Sequence, residues 1–128
     1  MNVLKPEVIF ALPGINPELR SRLIKELIAK SGYIHLDVDF IIKNAVERGT
    51  ELGKKFELQE NEEGNVIVIL EQLKRILFNN PNNKKFVITN LSSEIEHFLR
   101  FESEVCPINK VLTFLKRTDL SDQNTYVS

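Results

Sequence analysis

The sequence predicts an α/β domain: a four-stranded parallel sheet flanked by helices. Three observations carry this. Four short segments are apolar at nearly every position, as strands buried on both faces of a sheet must be. Segments with apolar residues at helical spacing alternate with them. Strands that alternate with helices are joined by right-handed crossovers, which makes the sheet parallel.

The first strand is read at Val8–Leu12. Pro13 and Gly14 turn the chain, and "INPE" opens a helix, with Asn16 as N-cap, Pro17 at the first helical position and Glu18 in the first turn. Its apolar face is Leu19, Leu23, Ile24, Leu27 and Ile28. Ile34–Leu36 is the second strand. A second helix starts at Phe40 with Ile41, Ile42 and Ala45, capped by Asp39, while Asp37 faces solvent. "ELQENEEG" (57–64) is acidic and suits either a solvated helix or a loop. The longest stripe, Val66, Ile69, Leu70, Leu73, Ile76 and Leu77, is a helix that ends before Pro81 in the loop 79–85. Phe86–Thr89 is the third strand. Ile95, Phe98 and Leu99 mark a helix capped by Ser92 or Ser93. Val111–Leu115 is the fourth strand, and residues 117–128 form a polar tail after a domain of residues 1–116.

With 128 residues, 42% hydrophobic and 27% charged, the chain has the composition of one globular domain. Seventeen basic and eighteen acidic side chains nearly cancel, which argues against nucleic acid as a partner. No apolar run approaches the ~20 residues of a membrane span. Lys5, Pro6 and Glu7 fall where a secretory leader needs an apolar core. The single cysteine, Cys106, suits a reducing, cytoplasmic setting and reads as a packing residue.

Strand, glycine turn, helix is the construction of a phosphate-binding loop. "VIFALPG" and "SGYIHLDVDFIIKNAVERGTELGKKF" together resemble the adenylate kinases and related nucleoside monophosphate kinases. Gly32, Tyr33, His35 and Leu36 match that family's second strand, and Gly49, Gly53, Lys54 and Lys55 match a later turn in spacing. "KKFVITNLSSEIEHFLRFE" and "NKVLTFL" stand where the next strand–helix pair and the fourth strand belong. The resemblance spans residues 6 to about 116. It implies the P-loop fold with strand order 2-3-1-4, lacking the family's lid and last strand.

The departures fall on the chemistry. Aligned on Pro13 and Gly14, the loop has Ile15 and Asn16 for its serine and glycine, Pro17 for its lysine, Glu18 for a glycine and Leu19 for the magnesium-side hydroxyl. Thr89 replaces an aspartate, Ser93 an arginine, and Lys43 stands for a second arginine. Pro17 removes both an ammonium and an N–H, and Glu18 repels a phosphate. The expectation is therefore a non-catalytic, adenylate-kinase-like domain without cofactor or bound metal. It would serve as a structural or protein-interaction module, pairing with a protein partner or with itself through the edge strand Val111–Leu115. Some domains of this kind belong to ciliary and flagellar assemblies, so the resemblance implies a cytoskeletal or ciliary home. The alternative is a nucleotide binder, or a kinase completed by a partner chain, that uses Arg20, Arg22, Lys43 and Lys54 as phosphate ligands. Asp37 and Asp39 are the carboxylates placed to hold magnesium under that alternative, and His35 and His97 read as structural or surface residues.

Overall fold

The computed structural model describes residues 6–14, 16–59, 61–79, 85–92 and 94–113. Its elements run β1 (Glu7–Ala11), α1 (Pro17–Ser31), β2 (Ile34–Asp37), α2 (Val38–Arg48), α3 (Glu51–Leu58), α4 (Glu62–Phe78), β3 (Lys85–Thr89), α5 (Ile95–Glu104) and β4 (Lys110–Leu112). The strands form one all-parallel sheet in the order β2-β3-β1-β4. Both the parallel sheet and the 2-3-1-4 order are as the sequence led one to expect. The polar tail, Phe114, Leu115 and the loop around Pro81 lie outside the described residues.

Period-two alternation sorts the strand residues onto two faces. Val8, Phe10, Leu36, Phe86 and Ile88 pack with α4 and α5 through Val66, Leu70, Leu73, Leu77 and Phe101. Ile9, Ala11, Val87 and Leu112 face the other way, against Leu19, Leu23, Ile24 and Leu27 of α1. Phe10 is the hub of the larger face: the rings of Phe98 and Phe101 stand edge-on to it, with centroids 5.0 and 4.9 Å away.

Side-chain caps place the helix starts. Asn16 accepts from the Leu19 N–H at 3.1 Å, with Pro17 at the first helical position. Asn61 accepts from Gly64 N–H at 2.8 Å at the start of α4. Asp37, not Asp39, caps α2: its Oδ1 accepts from Phe40 N–H at 3.3 Å, and the helix begins at Val38. Val38 is buried, so it must enter the core as the chain leaves β2, which brings the cap two residues earlier than the Phe40 pattern suggests.

Helix α3 lies where a turn was expected. Gly49 closes α2 with φ of 64°, a left-handed conformation that glycine adopts freely. Thr50 then caps α3 by accepting from Gly53 N–H at 3.2 Å. A Cβ at Gly53 would lie 2.2 Å from the carbonyl oxygen of Ala45, so α2 and α3 approach backbone to backbone. The acidic stretch 57–64 divides into the end of α3, a short link and the first turn of α4.

Several apolar residues assigned to buried faces are exposed: Ile28, Phe40, Ile95 and Leu99. On α5 the buried residues are His97 and Phe101, with Phe98 of the expected face packed beside them on Phe10. Glu94 is the N-cap of α5 and makes no side-chain capping bond; Ser92 Oγ accepts from Glu94 N–H at 3.0 Å, one position before the helix, and Ser93 lies outside the described residues. Strand β4 runs Lys110–Leu112, starting one residue before the expected Val111, while the expected Phe114 and Leu115 lie outside the described residues. Its start is pinned by Asn109, whose side chain accepts from Val8 N–H at 2.7 Å and whose N–H donates to Val8 O at 2.9 Å. Among the described residues no helix is long and apolar enough to cross a membrane.

Candidate functional site

Ligands of open α/β sheets bind beyond the carboxyl ends of the strands. Here that edge is formed by Ala11, Asp37, Thr89 and the start of α1. Register places Thr89 between Ala11 on β1 and Asp37 on β2.

The polar groups at this edge bond to one another. His35 Nε2 and Thr89 Oγ1 are 2.8 Å apart across β2 and β3. The Asn90 side-chain amide donates to Asp37 Oδ1 at 2.9 Å. Asn90 itself sits at φ of 62°, a left-handed conformation that asparagine tolerates better than most residues. Asp37 thus caps α2 and anchors the β3 turn with one oxygen. Arg20 Nη2 donates to Ala11 O at 3.1 Å, so its guanidinium folds back over the end of β1. Its Nε is buried with no hydrogen-bond partner among the described residues.

The His35 pKa lies below its ordinary value: shielding of the ring edge dominates, Asp37 opposes it, and the Arg20 charge adds to it. The residue as a whole stays exposed, with its Nε2 against Thr89 Oγ1.

The residues named from sequence meet here only in part. Pro13, Gly14, Pro17 and Glu18 are exposed, and Asn16 is occupied as the α1 cap. Arg20 is half-buried and bonded to the backbone at the end of β1. Arg22, Lys43 and Lys54 are exposed on α1, α2 and α3, and no hydrogen bond joins them to one another among the described residues. Asp39 is exposed in the first turn of α2, separated in role from Asp37. Asn90 escaped the sequence reading; an asparagine directly after a buried strand is its one visible signal. Cys106 is buried, and burial pushes its thiol up to about 11, which leaves it unreactive packing.

A second feature lies at the other side of β1. Leu12, Ile95, Phe98, Leu99, Ile108 and Val111 line a groove of about 440 Å³ between α5 and β4. Ile95 and Leu99 are 75% and 59% exposed, unusual for large apolar side chains on one helix. Among the described residues β4 pairs only with β1, on one side.

No protein-family model matches the chain, and no curated protein matches it.

Proposed function

We propose that this is a non-catalytic domain of adenylate-kinase-like architecture that works by binding protein, through the α5–β4 groove and the adjoining strand edge. The groove carries the reading. Its walls are mostly apolar, with Glu102, Asn109 and Lys110 among the lining; it lies against a strand paired on one side among the described residues, and Ile95 and Leu99 stand out beside it. An extended segment adding to β4 would gain backbone hydrogen bonds from the edge and seat apolar side chains in the groove. Pairing of the carboxyl-end groups with one another supports the non-catalytic half of the reading. A cytoplasmic assembly, cytoskeletal or ciliary by the resemblance, is the setting proposed for it.

Gel filtration with light scattering tests this. The expected result is self-association, or capture of an extended apolar peptide, that Leu99→Asp and Ile95→Asp each weaken at least about tenfold, a loss of about 1.4 kcal/mol. Both residues are exposed, so the fold survives the change, as circular dichroism would verify. Association untouched by either variant would overturn the proposal.

One observation favours a second reading, anion or nucleotide binding at the carboxyl end: the partnerless Nε of Arg20. Two-dimensional NMR with ATP, ADP and AMP, with and without magnesium, decides it. Shifts confined to Arg20, His35 and Thr89 would support the binder.

A further inference from the structure

We propose that Glu62, Glu94 and His97 form a site for a divalent transition-metal ion that ties the first turn of α4 to the start of α5. One carboxylate oxygen from each glutamate and a ring nitrogen of His97 lie within 4.8 Å of one another. The two glutamates are exposed, while His97 is only 4% exposed. The buried imidazole makes this more than a pair of surface carboxylates.

The ring is already oriented as a ligand needs. Ser92 Oγ is 2.6 Å from His97 Nδ1. Ser92 is itself fixed, because its oxygen accepts from Glu94 N–H at 3.0 Å. In the tautomer whose Nδ1–H donates to the hydroxyl, the Nε2 lone pair is left for a metal at the cluster. A metal-bound histidine is usually held by such a bond from its other nitrogen. His97 Nε2 lies 3.4 Å from Glu94 Oε2. That is long for a charge-assisted hydrogen bond, which runs about 2.7–2.9 Å. It matches the spacing of two donors on one tetrahedral ion, about 3.4 Å for metal–ligand bonds of about 2.0–2.2 Å. Glu62, free to change rotamer at the surface, closes the remaining distance.

The surrounding charge favours a cation. Among the described residues neither Glu62 nor Glu94 has a lysine or arginine partner. Arg100, the nearby base, is engaged by Glu63 and Glu104. The positive ends of α4 and α5 oppose a cation, and the two carboxylates offset them. An imidazole in the donor set selects zinc-like ions over calcium or magnesium, which prefer oxygen alone. Three protein donors leave one position for water.

The test uses tag-free protein and zinc chloride, by calorimetry and ¹⁵N NMR of the histidine rings. The expected result is one-to-one micromolar binding with a large shift of His97 Nε2. Glu62→Gln and Glu94→Gln each weaken it at least about tenfold, while Glu96→Gln, an exposed neighbour outside the donor set, does not. Both donor variants are surface changes, and thermal unfolding of the metal-free proteins verifies that they fold. Absence of one-to-one binding, or wild-type affinity in either donor variant, overturns the site. The outcome is independent of whether the α5–β4 groove binds protein.

Discussion

Arg20 reaches back from the first turn of α1 to the carbonyl of Ala11, the last residue of β1, at 3.1 Å. This guanidinium at the mouth of the turn thereby serves the backbone. Asn16 performs the same service for the helix, taking the Leu19 N–H at 3.1 Å. A helix start with free N–H groups is a ready anion site. Here a side chain occupies one N–H, Pro17 supplies none, and Glu18 contributes the negative charge.

No phosphotransfer between ATP and AMP is expected. Catalysis of this reaction consists of positioning and charge stabilisation, and removing a single donor from a preorganised site commonly lowers the rate by about 10²–10³. Pro17 and Leu19 stand where the resemblance places the lysine and the hydroxyl. A coupled assay checks this. Turnover abolished by Arg20→Met or Arg22→Met would contradict it; turnover indifferent to both would come from a contaminating kinase.

Much of the fold was legible because buried parallel strands declare themselves as short apolar runs. Val8 to Ala11 and Phe86 to Thr89 are each buried at every position, as such runs imply. Helix α3 was not legible. Its eight residues carry glycine and two lysines, and its reason for existing is a tertiary contact, Gly53 on Ala45, that no local pattern displays. Helix α5 misled in another way. Of the stripe Ile95, Phe98 and Leu99 only Phe98 packs inward, on Phe10; the buried side chains are His97 and Phe101, which meet Ser92 and Phe10. At the carboxyl edge the sequence offered Asp37 and His35 but not their pairings. Those depend on register between β2 and β3, whose partners, such as Asp37 and Thr89, are far apart in sequence.

Gly53→Ala should destabilise the protein by at least about 1–3 kcal/mol, the range for overpacking a tight contact. The new Cβ would meet backbone, the oxygen of Ala45 at 2.2 Å, and backbone cannot swing aside as a side chain does. Gly64→Ala offers the contrast. Its nearest atom is the flexible end of Gln59, so its effect should be smaller. Urea denaturation of both variants measures the difference; equal stability would refute the close approach of α2 and α3.

The imidazole of His35 should titrate below 6.5, its ordinary value. The folded protein then holds this proton less firmly than the unfolded chain. The histidine contribution to stability is therefore complete above pH 6.5 and declines as pH falls through the folded-state pKa. Its neighbours give the sign of each variant. Asp37→Asn removes an anion and should lower the value further; Arg20→Met removes a cation and should raise it. Ring-proton NMR titration follows both, and movement of either value in the opposite direction would disprove the electrostatic assignment.

Asp37 and Asp39 provide the sharpest separation of two neighbouring residues. Asp37 Oδ1 serves two donors, the Phe40 N–H at 3.3 Å and the Asn90 amide at 2.9 Å. Asp39 is exposed in the first helical turn, where its charge complements the helix dipole and little more. Loss of an N-cap commonly costs about 0.5–2 kcal/mol, and the half-buried Asn90 loses its acceptor as well. Asp37→Ala should therefore cost about 2 kcal/mol in chemical denaturation. Asp37→Asn should cost less, because asparagine caps a helix nearly as well and retains an oxygen for one donor. Asp39→Ala should stay within about 0.3–1 kcal/mol, the range of a surface charge near a helix terminus. If the two alanine variants were equally damaging, Asp37 would not be the cap. If magnesium stabilised the wild type and neither variant, the pair would instead be a metal site, and the capping account would fail.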